Sequence, residues 1–175
     1  MPQVYPFAAP TSAGYDSLMN TRNGLLVTLL ALAFLGIADA WYLTLSAFQG
    51  AALFCDVGAA LDGCNIVAQS PYSKLWGVPL ALYGVVFYCL LFILVSVLFV
   101  RTHHPLYQAV AVLGVLGFIA SLAFLFIQFA LIKALCVYCI ASAIIAALIC
   151  LIAIRLWARH APGRAKPTPI PPVVS

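Results

Sequence analysis

The chain has 175 residues, 66% of them hydrophobic and 7% charged, with a mean hydropathy of +1.14. Those values lie outside the range of soluble globular domains and point to a membrane protein. The net charge of +4 comes from few groups placed mostly near the termini; it bears on membrane orientation, and no basic patch interleaved with aromatics offers a nucleic-acid surface.

About 20 apolar residues cross the ~30 Å hydrocarbon core of a bilayer, and nearly all of this chain is used by four such spans. Residues 1–23 carry three prolines, Gly14 and several small polar residues, and read as a loose tail, so that 1–24 forms an N-terminal segment ahead of the bundle. The first span runs from Leu25 to Phe48, about 36 Å at 1.5 Å per residue. A signal peptide ending at Ala38-Asp39-Ala40 is the rival reading. It is disfavoured because the apolar run continues through Trp41, Tyr42 and Leu43.

Gln49–Leu75 has mixed polarity and contains Cys55-Asp56-Val57-Gly58 and Asp62-Gly63-Cys64-Asn65. Asp62-Gly63 is a turn signal, and a loop of this length can fold back so that its two cysteines meet. Ser70-Pro71 reads as a helix start, with Ser70 as N-cap and Pro71 at the first helical position of a short interfacial helix. The second span covers Trp76–Val100, with Pro79 tolerated near its start. After Arg101–Pro105, apolar sequence resumes and would make one helix of about 74 Å, over twice the bilayer core, so it must turn back. Lys133 marks the place: the third span is Leu106–Ile132 and the fourth Leu135–Trp157, although no Gly or Pro marks the turn. Residues 25–157 thus form the predicted bundle. Residues 158–175 are a proline-rich tail expected to be disordered, with no soluble domain after it.

Four spans put both termini on one side. Arg22, Arg101, Arg155, Arg159, Arg164 and Lys166 fall with them and only Lys74 and Lys133 opposite, which predicts cytoplasmic termini. The pairs Cys55/Cys64 and Cys136/Cys139 then share the non-cytoplasmic surface, where disulfides persist. Cys89 and Cys150 lie mid-span and read as small hydrophobes.

Cys136-Val137-Tyr138-Cys139 is a CxxC at the start of a helix, where the partial positive charge of the helix N-terminus favours thiolate. With Cys55 and Cys64 it could be a four-cysteine zinc site or a thiol relay. The relay is favoured because it also accounts for the membrane: electrons reaching the outer edge of a bundle can pass to a quinone dissolved in the lipid, beside Cys139.

Cys55-Asp56-Val57-Gly58, Cys64, Ser70-Pro71-Tyr72-Ser73-Lys74-Leu75-Trp76-Gly77 and Cys136-Val137-Tyr138-Cys139, in that order on a four-span chain, resemble the vitamin K epoxide reductase (VKOR) family, including its bacterial disulfide-forming members. The resemblance covers residues 25–157. It implies that Cys55 and Cys64 shuttle electrons from a thioredoxin-like or DsbA-like partner, that Cys64 forms a transient disulfide with Cys136, and that Cys139 faces the quinone, of the ubiquinone, menaquinone or vitamin K type, with no metal. Ser70 matches the family's loop serine or threonine near the pocket. Animal members carry a pocket Asn in the second span and a Tyr one turn after the CxxC. Here Val78–Leu82 has no Asn and Ala143 takes the place of the Tyr, which argues against vitamin K epoxide as substrate. Many bacterial members continue into a fused thioredoxin-like domain, so the partner of this chain is expected to be a separate protein and the setting a bacterial cytoplasmic membrane. The alternatives are an epoxide or quinone reductase of the animal type, and a non-catalytic membrane protein with a zinc or disulfide clamp.

Asp39 sits about two-thirds along the first span, where a carboxylate costs up to ~2.5 to 3.5 kcal/mol. It reads either as a proton relay for quinone reduction or as a group packed between helices, and Gln128 in the third span has the same two readings. Lys133 reads as a snorkelling anchor, Gly114, Gly117 and Ser121 as a helix contact, and Trp41, Tyr42, Trp76 and Tyr138 as an aromatic belt. His103 and His104 fall at the end away from the cysteines.

Overall fold

The computed structural model describes residues 12–55 and 63–160, with residues 12–19 as backbone only. Among these, four helices are long and apolar enough to cross a membrane: Asn20–Gln49, Leu80–Val100, His104–Ile132 and Val137–His160. The architecture is the expected all-α membrane bundle. Its elements are α1 (Ser12–Gln49), α2 (Cys64–Gln69), a 3-10 turn (Pro71–Ser73), a hairpin of β1 (Lys74–Leu75) and β2 (Val78–Pro79), α3 (Leu80–Val100), α4 (His104–Ile127) and α5 (Val137–His160).

Three boundaries differ from the sequence expectation. Helix α1 begins at Ser12 rather than Leu25, so part of the segment read as a loose tail is helical. Once a helix exists, each upstream residue adds a hydrogen bond without a new nucleation cost. Helix α5 continues to His160, where the ring Nδ1 donates to the Leu156 carbonyl at 2.8 Å and the ring stacks on Tyr107 at 4.1 Å. The proline-rich tail from residue 161 onward, like residues 1–11 and 56–62, lies outside the described residues.

The third difference is at the second span, which starts at Leu80 instead of Trp76. The Ser70-Pro71 signal does open a helical turn, but only Pro71–Ser73 follow it. Lys74 then pairs with Pro79 and Leu75 with Val78 in an antiparallel hairpin. Its two-residue tip, Trp76 (φ 52°) and Gly77 (φ 81°), has the positive φ at both positions that a tight hairpin turn requires.

Helix α1 packs on α3 and α5, α4 packs along α5, and α3 meets α4 less closely. Leu26, Leu29, Leu91, Val95, Leu98, Val110, Ile149 and Leu156 form the buried centre, while Val27, Phe34, Val86, Ile93, Leu116 and Ile119 are exposed, as an outer surface in lipid would be. Lipid tails are as apolar as leucine, so close approach at small residues supplies the association that water would otherwise drive. Gly114 is such a point: a Cβ there would sit 3.3 Å from the Cα of Cys150, and Gly117 lies beneath the Phe87 ring. At the end away from the CxxC, Arg22 Nη2 donates to the Leu98 carbonyl at 2.7 Å, tying α1 to α3.

Candidate redox site

The turn that precedes the CxxC is built on Gln128. The last residues of the third span, Gln128–Ile132, form a π-helical turn, and Lys133 then adopts the left-handed conformation (φ 56°). The Gln128 carbonyl accepts the N–H of Lys133 and that of Ala134 at 3.3 Å. Its side-chain Oε1 accepts the N–H of Cys136 at 3.0 Å. The chain thereby reverses without glycine or proline, and Cys136 is placed immediately before Val137, the first residue of α5.

Cys139 follows within the first turn, and both residues are free thiols. The Cys136 thiol is held down to about 7, chiefly by its hydrogen bond with the Cys139 side chain; the peptide N–H groups of Cys139 and Tyr138 assist, and burial opposes. That is a thiol poised to ionise near neutral pH.

The outer pair, Cys55 and Cys64, is joined as a disulfide with the Cα atoms 6.3 Å apart. Side chains hold the segment before Cys55 in place. Leu53 donates its N–H to Asn65 Oδ1 at 2.8 Å and accepts from Asn65 Nδ2 at 3.2 Å. Phe54 donates to Tyr42 Oη at 3.3 Å, and Tyr138 O–H donates to the Phe54 carbonyl at 2.8 Å. Tyr42 and Tyr138, expected as an aromatic belt, are therefore clamps on the segment leading to Cys55, with their rings 5.1 Å apart. Asn65 carried no signal in the sequence beyond its place next to Cys64.

Cys64 opens α2 and is pressed onto the CxxC turn. Gly63 donates its N–H to the Leu135 carbonyl at 3.1 Å, and a Cβ on Gly63 would come within 2.7 Å of that oxygen and 2.8 Å of Ala134 Cβ. Cys55, Cys64 and Cys136 share one buried apolar cluster with Leu53 and Val67, with Cys139 packed against it. Two cysteine pairs from distant parts of the chain are thus brought together.

A cavity of about 1080 Å³ opens beneath this cluster. Cys64, Cys136 and Cys139 are in its wall, with Asp39, Ser70 and Ser142. Ser70 Oγ donates to the Val67 carbonyl at 2.7 Å. Asp39 Oδ2 is buried with no hydrogen-bond partner. Ala143 is buried but is not part of the wall; its neighbour Ser142 is, and Ser142 Oγ lies 2.9 Å from the Tyr88 hydroxyl. The sequence reading missed Tyr88 and Ser142, although Ser142 follows Cys139 at the three-residue spacing that shares a helix face. Lys133, His103 and His104 are not in the cavity wall. Among the described residues no group of three or more His, Cys, Asp or Glu is arranged to hold a metal ion.

The model of the vitamin K epoxide reductase family matches residues 27–154, which include both cysteine pairs, Asp39, Ser70 and Gln128. The chain belongs to that family. It is accordingly an integral membrane oxidoreductase of the VKOR type, a family that uses quinones generally. No individual curated protein matches the chain.

Proposed function

We propose that this VKOR-family chain oxidises a separate, extracytoplasmic thioredoxin-like protein and passes the electrons to a lipid quinone, supporting disulfide formation. The observation that carries the reading is the presence of Cys64, Cys136 and Cys139 in the wall of one cavity. The cavity's largely apolar wall and its size suit a small hydrophobic ligand. The count of basic residues supports cytoplasmic termini, in a bacterial cytoplasmic membrane.

Each step is thiolate attack on a disulfide. A partner thiolate attacks Cys55 and releases Cys64; the partner's second thiol then resolves the mixed disulfide and leaves Cys55 reduced. Cys64 attacks Cys136 of an inner disulfide and releases Cys139. Cys55 in turn attacks Cys64, which restores the outer disulfide and leaves Cys136 and Cys139 as thiols. That is the arrangement described above, with the electrons on the inner pair. Re-forming the inner disulfide delivers two electrons and two protons to the quinone. Asp39, in the cavity wall with an unpartnered oxygen, is proposed as a carrier of one of those protons.

The test is quinone reduction by the purified chain with a dithiol donor. Wild type is expected to reduce quinone and Cys139→Ala to fail; equal rates would remove Cys139 as the terminal donor. Stoichiometric bound zinc with no quinone reduction would overturn the whole reading. Asp39→Asn is expected to lower turnover at least tenfold, and unchanged turnover would end its proposed role.

A further inference from the structure

Tyr88 reaches across the bundle. It belongs to α3 and is 3% exposed, yet its ring lies against Gly36 of α1, where an added Cβ would come within 2.5 Å of two ring carbons. A side chain at position 36 would stand in the way of the ring. The hydroxyl of Tyr88 then meets Ser142 of α5, where two acceptors are in reach: Oγ at 2.9 Å and the peptide carbonyl at 3.1 Å. Each hydroxyl carries one proton and accepts through its lone pairs, so two patterns fit the same heavy-atom positions. In the first, Tyr88 donates to the carbonyl and Ser142 donates back to Tyr88, and both protons are used. In the second, Tyr88 donates to Oγ, and the Ser142 proton is released to a third group.

The place for that third group is the cavity. Ser142 and Tyr88 are both in its wall, together with Cys139, and Ser142 is half-buried where its neighbour Ala143 is buried. Ser142 follows Cys139 by three residues, which puts the bases of the two side chains about 5–6 Å apart on one helix face. An acceptor held by Ser142 therefore sits beside the sulfur. The hydroxyls of Ser70 and Ser73, also in the wall, are committed to the carbonyls of Val67 at 2.7 Å and Ser70 at 2.8 Å. Ser142 differs from them, because the second pattern frees its proton without leaving a group unpaired: its own carbonyl lies inside α5 and keeps its helical hydrogen bond.

We propose that Ser142 binds the quinone by donating its hydroxyl proton to a ring carbonyl oxygen, and that Tyr88 is the residue that positions it. The inference rests on the cavity being the quinone site of the proposed relay, and it names the group that recognises the ring. The released proton requires an acceptor, and carbonyl oxygens are the acceptors that every quinone has. Before the quinone arrives, the closed pattern leaves neither buried hydroxyl unpaired. Once Tyr88 donates to Oγ, the serine becomes the stronger donor, since hydrogen bonds in a chain polarise one another. The contact strengthens further as electrons reach the ring, because the oxygen then carries negative charge.

The test is isotope-edited infrared difference spectroscopy on the purified full chain in detergent. The probe is a naphthoquinone methylated at both ring positions beside its carbonyls, so that no thiol adds to it, and isotopically labelled at the carbonyl carbons. The chain is first oxidised with excess unlabelled quinone and freed of it, so that the probe stays oxidised. In wild type, one carbonyl band of bound quinone should lie below its position in detergent alone. In Ser142→Ala that downshift should be lost, and the KM for quinone with a dithiol donor should rise about three- to tenfold, the range for one hydrogen bond. Ser142→Thr keeps the hydroxyl and should keep the downshift, and Tyr88→Phe should give a band between those of wild type and Ser142→Ala. A downshift that survives in Ser142→Ala, one that is lost in Ser142→Thr as well, or an unmoved KM would overturn the proposal; a wild-type band in Tyr88→Phe would remove Tyr88 from it. Absence of saturable quinone binding in wild type would overturn both this proposal and the quinone step of the relay, whereas binding with an unshifted carbonyl band overturns this proposal alone.

Discussion

The peptide N–H of Gly63 donates to the carbonyl of Leu135 at 3.1 Å, so the residue before Cys64 is tied to the residue before Cys136. This one backbone bond brings the two polypeptide segments into register. Cys64 and Cys136 are separated by two spans of sequence, and neither position is free to slide without breaking it.

Gly63→Ala should disturb that register. The new Cβ would lie within 2.7 Å of the Leu135 oxygen, and relief requires the segments to part, at a cost of about 1–3 kcal/mol. In a Cys55→Ser, Cys139→Ser background the yield of Cys64–Cys136 disulfide is expected to drop several-fold relative to the same background with Gly63. An unchanged yield would show that the close approach does not govern exchange.

Cys136 should be alkylated by iodoacetamide with a rate that rises through a pH of about 7, where its thiol is held by the Cys139 side chain. A lowered pKa means that thiolate is already abundant above that pH and is lost on acidification through it. In Cys139→Ala the rise should move up towards the ordinary cysteine value of about 8.5. A profile identical in the two proteins would remove the thiol–thiol hydrogen bond as the cause.

Tyr138→Phe keeps the ring beside Tyr42 and deletes the 2.8 Å hydrogen bond to the Phe54 carbonyl. The bond is solvent-accessible, so global stability should change by no more than about 1 kcal/mol. The segment before Cys55 should loosen nevertheless, and reduction of the Cys55–Cys64 disulfide by dithiothreitol should quicken two- to fivefold. A variant with wild-type reduction kinetics would show that the clamp does not restrain the outer pair.

Lys133→Gly should be neutral or stabilising by up to about 1 kcal/mol, because a residue with a Cβ is strained in the left-handed conformation and glycine is not. Its thermal unfolding temperature should match or exceed that of wild type. A clear decrease would be inconsistent with the positive φ assigned to this position.

The four spans were legible because lipid imposes a length of apolar sequence that a reader can count, and the match of the cysteine motifs pointed to the family on its own terms. The local devices were less so. The charge of Lys133 marked where the chain reverses but not how, since the left-handed residue is a lysine and its stabilisation comes from Gln128, five residues earlier in sequence. The hairpin at Trp76-Gly77 was hidden because its Trp carries the unusual φ and only Gly77 looks like a turn. Asp39 and Gln128 stood out as polar residues in apolar runs, but which of their atoms lacked partners depended on helix packing. The pocket residue Ala143 was expected from family position alone, and a shift of one place to Ser142 is the kind of detail that helix rotation decides.

The outer pair is a disulfide while both inner cysteines are thiols. With four sulfurs and one bridge among them, moving that bridge from Cys55–Cys64 through Cys64–Cys136 to Cys136–Cys139 is an isomerisation, with no net gain or loss of electrons. The populations of the three isomers are therefore independent of the thiol content of the surroundings. At a given pH they are governed by the folded chain, through the same packing and hydrogen bonds that hold Gly63 against Leu135 and Gln128 against the CxxC. In the proposed relay, external chemistry touches only the two ends of the series, where the bridge is consumed and where it is renewed.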